Sequence, residues 1–147
     1  MYDHILVPTD GSEGNEQTIA EAIDLAGLTG ATIHGLYVID TRDYSTLPES
    51  KWITLEEELQ SAGERALDEI RESGGEAGVD VTTNITRGIP HERIVEYADE
   101  NDIDLVIMGT HGRTGLNRFL IGSVTEKVIR SSSVPVLVLR IQQSSEE

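Results

Sequence analysis

No cysteine occurs among the 147 residues, which excludes disulfides, thiol nucleophiles, iron–sulfur clusters and cysteine-ligated zinc. Long apolar runs are missing too: the longest, such as 105–108 and 134–139, fall far short of the ~20 residues that a bilayer-spanning helix requires. The opening Met1-Tyr2-Asp3-His4 has no basic stretch leading into an apolar block, so no secretory signal is expected and the reading is cytoplasmic. Positive charge is scarce as well. Eleven basic residues, of which only Lys51 and Lys127 are lysines, face 27 acidic ones for a net charge of −16. Such a chain repels nucleic acid and anionic membranes, so neither is expected as a partner. Acidity with so little lysine points to a protein adapted to high salt, as in a halophile, where self-repulsion is screened over ~3 Å at 1 M.

What is present fits one domain, since single domains cluster at ~100 to 200 residues. Short β-rich runs alternate with segments of helical period, the pattern of a parallel sheet covered by helices. Strands are expected at 4–7, 31–39, 79–86, 105–108 and 135–139, and helices at 13–28, 53–72, 90–101 and 122–130. Gly27 and Gly30 stop the first helix, and Ser73-Gly74-Gly75 is expected to break the second. The fourth strand is apolar on both faces, as in the middle of a parallel sheet. The fold class is therefore α/β, a single-domain doubly wound five-stranded parallel sheet with helices on both faces, spanning 1–141 before a polar tail at 142–147. The stretch 40–50 has no clear period and reads as a long loop or a lid. Pro135 suits an edge strand because it has no ladder donor. The apolar last strand, with Val134 and Leu139 at its ends, is too apolar for a bare edge, and a homodimer paired through it is expected.

The charge is unevenly placed. Between Gly109 and Arg140 there are five basic residues (Arg113, Arg118, Lys127, Arg130, Arg140) and one acidic (Glu126), so this segment carries +4 and the rest −20. Ligands of open α/β sheets lie outside the carboxyl ends of the strands, near the switch in strand order. Strand one exits into Pro8-Thr9-Asp10-Gly11-Ser12, and strand four into Gly109-Thr110-His111-Gly112-Arg113. The pattern is G-x-x-G, nine residues, then G-[ST]: Gly109, Gly112, Gly122 and Ser123. Glycines and a hydroxyl converge there on a helix N-terminus, which suits an anion. Gly109 would let a ligand approach the strand end, and Gly112 would permit positive φ. Neither G-x-x-x-x-G-K-[ST] nor G-x-G-x-x-G occurs, so a P-loop or a dinucleotide fingerprint is not supported.

These segments, with Val106-Ile107-Met108-Gly109, the loop from His111 to Leu116, and Gly122-Ser123-Val124-Thr125 leading to Val134-Pro135-Val136, resemble the universal stress protein family over nearly the whole chain. The resemblance implies a Rossmann-like, adenine nucleotide alpha hydrolase-like fold, and the glycine pattern marks the family's ATP-binding branch. It further implies a dimer through the last strand and a stress-response role as a regulatory nucleotide-binding module. Carried over, Asp10 and Val38 would contact the adenosine end, Val38 through its main chain, while Pro8, Thr9, Met108 and Gly109 would line the ribose. Gly112, Arg113, Gly122, Ser123, Val124 and Thr125 would hold the phosphates. A magnesium ion would be held by phosphates and water rather than by a protein cage.

Taken without the family motif, Asp10 reads as a solvated loop aspartate or a helix cap with Ser12; with the motif, the ligand reading is preferred. His4, His34 and His91 are expected to be structural, and Trp52 and Tyr44 to anchor the long loop; His111 differs only in lying inside the phosphate loop. Slow ATP hydrolysis or phosphoryl transfer in the same pocket is the alternative to binding alone. It would need an activating base and a cation at the leaving charge. Asp10, His111 and Arg113 are the candidates, and no spacing assigns them those tasks. A phosphoacceptor receiver is excluded, because Asp10 stands alone after strand one and Arg140 replaces the lysine expected after strand five. In a flavodoxin the phosphate loop would follow strand one.

Overall fold

The computed structural model describes residues 2–12, 15–44, 46–110 and 122–141, with the side chains of 43 and 44 left aside. Five parallel strands, β1 (His4–Pro8), β2 (Thr32–Asp40), β3 (Val81–Gly88), β4 (Leu105–Gly109) and β5 (Val136–Leu139), lie in the order β3-β2-β1-β4-β5. Four helices connect them: α1 (Asn15–Thr29), α2 (Trp52–Ala77), α3 (Pro90–Glu100) and α4 (Ser123–Ser131). The sheet grows outward from β1 in both directions, so the strand order switches between β1 and β4.

The period-2 geometry of the central strands divides the core into two layers. Ile5, Val7, Ile33 and Ile107 pack with Ile19 and Ile23 of α1 and with Leu67 and Ile70 of α2. Leu6, Leu36, Val106 and Met108 point the other way, to Ile94 and Ala98 of α3 and Val128 of α4. An unbroken apolar run such as Val106-Ile107-Met108 thus serves both faces, which is why it does not alternate.

Two sequence expectations change. The second helix does not break at Ser73-Gly74-Gly75 but continues to Ala77, where Gly78 at φ 72° ends it and donates its N–H to the Gly74 and Gly75 carbonyls. Gly74 is needed for another reason: a Cβ there would overlap the Val81 side chain, so the glycine lets α2 lie close on β3. The stretch after β2 is not a featureless loop, since it contains 3-10 turns at Thr41–Tyr44 and Glu49–Lys51. Trp52 opens α2 and donates from Nε1 to the Leu47 carbonyl at 3.2 Å, pinning this connection as an anchor would.

β5 is an edge strand, as the proline suggested, and the Val106 N–H donates to the Pro135 carbonyl at 3.0 Å. All four β5 residues are half-buried in the single chain. The histidines form a cluster that their separation in sequence hides. His4 Nδ1 lies 3.0 Å from His34 Nε2, and His34 Nδ1 lies 2.7 Å from the Tyr97 hydroxyl. Burial, then the neighbouring His4, holds the His34 pKa below the ordinary histidine value. Beside them, the Asp104 carboxylate accepts the N–H groups of Asp3 and His4, which lowers its pKa.

Candidate functional site

Register builds the site. Pro8 pairs with Leu36, yet β2 runs on to Asp40, four residues further, or roughly 13 Å at ~3.3 Å per residue. The projecting end of β2 becomes a wall above the exits of β1 and β4. Between that wall and the N-termini of α1, α3 and α4 lies a cavity of about 310 Å³. Its volume lies at the lower end of the ~300 to 1,000 Å³ usual for small-molecule sites.

Pro8, Thr9, Asp10, Val38, Met108, Gly109, Gly122, Ser123, Val124 and Thr125, proposed from four separate segments of the sequence, all line this one cavity. Gly112, Arg113 and His111 lie outside the described residues. The lining also includes Ser12 from the strand-one exit and residues that sequence reading passed over: Asn15, Thr18, Leu36, Asp40, Arg42, Pro90, Ile94 and Ile141. Leu36 and Asp40 had a usable signal, because they flank Val38 at a spacing of two on one face of a strand. Ile141 had none, since it arrives from beyond β5, where its N–H donates to Thr110 Oγ1 at 3.1 Å.

The cavity has two characters. One half is apolar, formed by Leu36, Val38, Ile94, Met108 and Val124. The other is polar and is organised by local hydrogen bonds at the strand exits. Thr9 Oγ1 accepts from the Gly11 N–H at 3.1 Å and from Asn15 Nδ2, while Asp10 Oδ1 accepts from the Ser12 N–H at 2.9 Å. Asp10 therefore holds the turn at Ser12, ahead of α1, and lines the cavity at once.

On the opposite side of the polar half, α4 starts at the cavity. Its N-cap is Gly122, with no side-chain cap, so first-turn N–H groups and the positive end of the helix dipole are directed here. Thr125 Oγ1 donates to the Gly109 carbonyl at 2.8 Å and ties the helix start to the strand end. Gly109 has a packing role that its sequence context does not reveal: a Cβ would sit 2.9 Å from the Ile141 side chain and 3.2 Å from Thr18 Oγ1. Thr18 Oγ1 is buried without a hydrogen-bond partner among the described residues. An uncapped helix start, an orphan hydroxyl and a glycine floor fit an anionic, hydroxylated ligand, and the apolar half fits a flat ring. Among the described residues, no group of three or more His, Asp or Glu side chains could hold a metal ion. No helix among them is long and apolar enough to cross a membrane.

The chain is similar to solved and curated proteins over almost its full length. It is 38% identical to the universal stress protein MJ0531 of Methanocaldococcus jannaschii, covering 95% of this chain and 83% of that one. The solved structure of MJ0577, a universal stress protein of the same organism, superposes with a TM-score of 0.87 at 37% identity, covering 98% and 99% of the two chains. A universal stress protein solved in complex with cAMP matches with a TM-score of 0.67 at 25% identity, covering 94% of this chain and 96% of that one. Residues 1–140 match the model of the universal stress protein family, and with these relatives that match shows that the chain belongs to it.

Proposed function

We propose that the protein binds ATP in this cavity and acts in the cytoplasm as a dimeric regulatory module of the stress response. The observation that carries the reading is the convergence of ten candidate residues on one cavity that is apolar at one end and opens onto an uncapped helix N-terminus at the other. Adenine would occupy the apolar half, with Val38 offering main-chain groups. The phosphates would take the first-turn N–H groups at Ser123, Val124 and Thr125, next to Gly122, whose own N–H donates to the Thr110 carbonyl, joined by Gly112 and Arg113. Magnesium would come bound to the phosphates. The neighbour solved with cAMP supports an adenine ligand in this fold. Regulation requires that ATP bind one state of the loops and dimer more tightly than another.

The test is to denature freshly purified protein, identify any released nucleotide by mass spectrometry, and titrate the stripped protein with ATP and magnesium. Stability should rise by ~2.7 kcal/mol at a hundredfold over the dissociation constant, and Gly122→Val with Ser123→Ala should abolish that rise while the domain stays folded. No released nucleotide and no stabilisation would overturn the reading. Phosphate release during the same titration would favour hydrolysis in the pocket over binding alone.

A further inference from the structure

Leu36, Val38 and Asp40 occupy alternate positions of β2, so they share one face, and all three line the cavity. Along this strip the wall changes from a buried leucine, through a half-buried valine, to a carboxylate at the strand's last residue. Pro90, Ile94 and Met108 line the same cavity. The result is an apolar slot with an acidic end.

The carboxylate is held in place. Arg42 Nε donates to Asp40 Oδ1 at 2.9 Å, Arg42 Nη2 donates to Oδ2 at 2.7 Å, and the Arg42 backbone N–H donates to Oδ1 at 3.0 Å. This fork fixes the plane of the carboxylate. Arg42 itself is 57% exposed, and an ion pair so open to water adds little to stability. Both side chains line the cavity, which suits a role in recognition.

We infer that Asp40, oriented by Arg42, reads the edge of the bound base and selects a 6-aminopurine over a 6-oxopurine. An ionised carboxylate only accepts hydrogen bonds. A ring lying against Leu36 and Val38 with its C6 substituent toward Asp40 brings an amino group there as a donor, whereas the oxo oxygen of a 6-oxopurine meets negative charge and leaves only the neighbouring N1–H to donate. Asp40 is the specificity-determining residue and Arg42 a positioning residue acting through it. The inference rests on the nucleotide reading of the cavity.

The experiment compares ATP with inosine triphosphate, which has the same ribose and phosphates but an oxo group at C6, by calorimetric titration of the full chain. Wild type should bind ATP about tenfold or more tightly than inosine triphosphate, the scale of one charge-assisted hydrogen bond. Asp40→Asn should bring the two within about threefold, because the amide can turn its NH2 toward the oxo group. Arg42→Gln, which keeps the carboxylate but releases it, should give an intermediate ratio and guards against misfolding of the first variant. Equal wild-type affinities, or a ratio unmoved in both variants, would overturn the inference and leave ATP binding standing, with main-chain groups at Val38 as the selector. A wild type that binds neither nucleotide would bring down the nucleotide reading and this inference with it.

Discussion

Thr125 Oγ1 donates to the Gly109 carbonyl at 2.8 Å, joining the first turn of α4 to the last residue of β4. The bond crosses from strand exit to helix start at the place where phosphates are proposed to bind. Thr125 is buried, so replacing it with valine keeps the shape but strands a carbonyl in the protein interior. Thr125→Val should cost about 1 to 3 kcal/mol, read as a lower urea midpoint with an unchanged slope. An unchanged midpoint would mean that water replaces the hydroxyl and that the strand-to-helix tie is dispensable.

Much of this architecture is legible because its signals are local. Each central strand is a compact apolar run, and the exits of β1 and β4 carry their loop residues in unbroken succession. Signals that depend on register are hidden. His4 pairs with Thr32 and Leu6 with His34, so the two histidines become diagonal neighbours only once β1 and β2 are aligned. Gly74 looks like a helix stop because nothing local reveals that Val81 will press against it. Asp40 and Arg42 lie where hydrophobic period is lost at the end of β2, and a polar segment without period reads as loop whether or not it walls a cavity.

The edge position of β5 makes the dimer testable. Among the described residues, the strand carrying Val136 and Val138 has a ladder partner on one side only, β4, and an apolar edge of that kind invites a second copy. Wild type should scatter light as a dimer, and Val136→Asp with Val138→Asp should scatter as a monomer with its helical circular dichroism retained. A folded double variant of unaltered mass would reject pairing through this strand.

The His4–His34–Tyr97 chain gives stability a dependence on pH whose sign follows from the shift. His34 is held below the ordinary histidine value by burial and then by His4, so the unfolded chain takes up a proton first as pH falls from ~6.5. Stability conferred by the neutral imidazole is complete above that value and declines below it. Asp104, lowered by the N–H groups of Asp3 and His4, contributes in the same sense, but only as pH falls below ~3.9, well outside this window. The urea midpoint should therefore drop as pH falls below ~6.5, and His34→Gln should flatten the drop. Equal slopes in the two proteins would show that other groups carry the acid sensitivity.

A net charge of −16 opposes the compact state through self-repulsion, and salt should relieve it in a recognisable way. The Debye length shrinks from ~10 Å at 0.1 M to ~3 Å at 1 M, so most screening is complete within that range. The melting temperature should rise steeply across it in KCl and level off beyond it. A rise that continues in proportion to salt at several molar would instead reflect strengthened apolar burial, which does not saturate with screening. No rise at all would mean that the acidic residues are spaced widely enough to be harmless in dilute buffer, and the expectation of a high-salt origin would lose its physical basis.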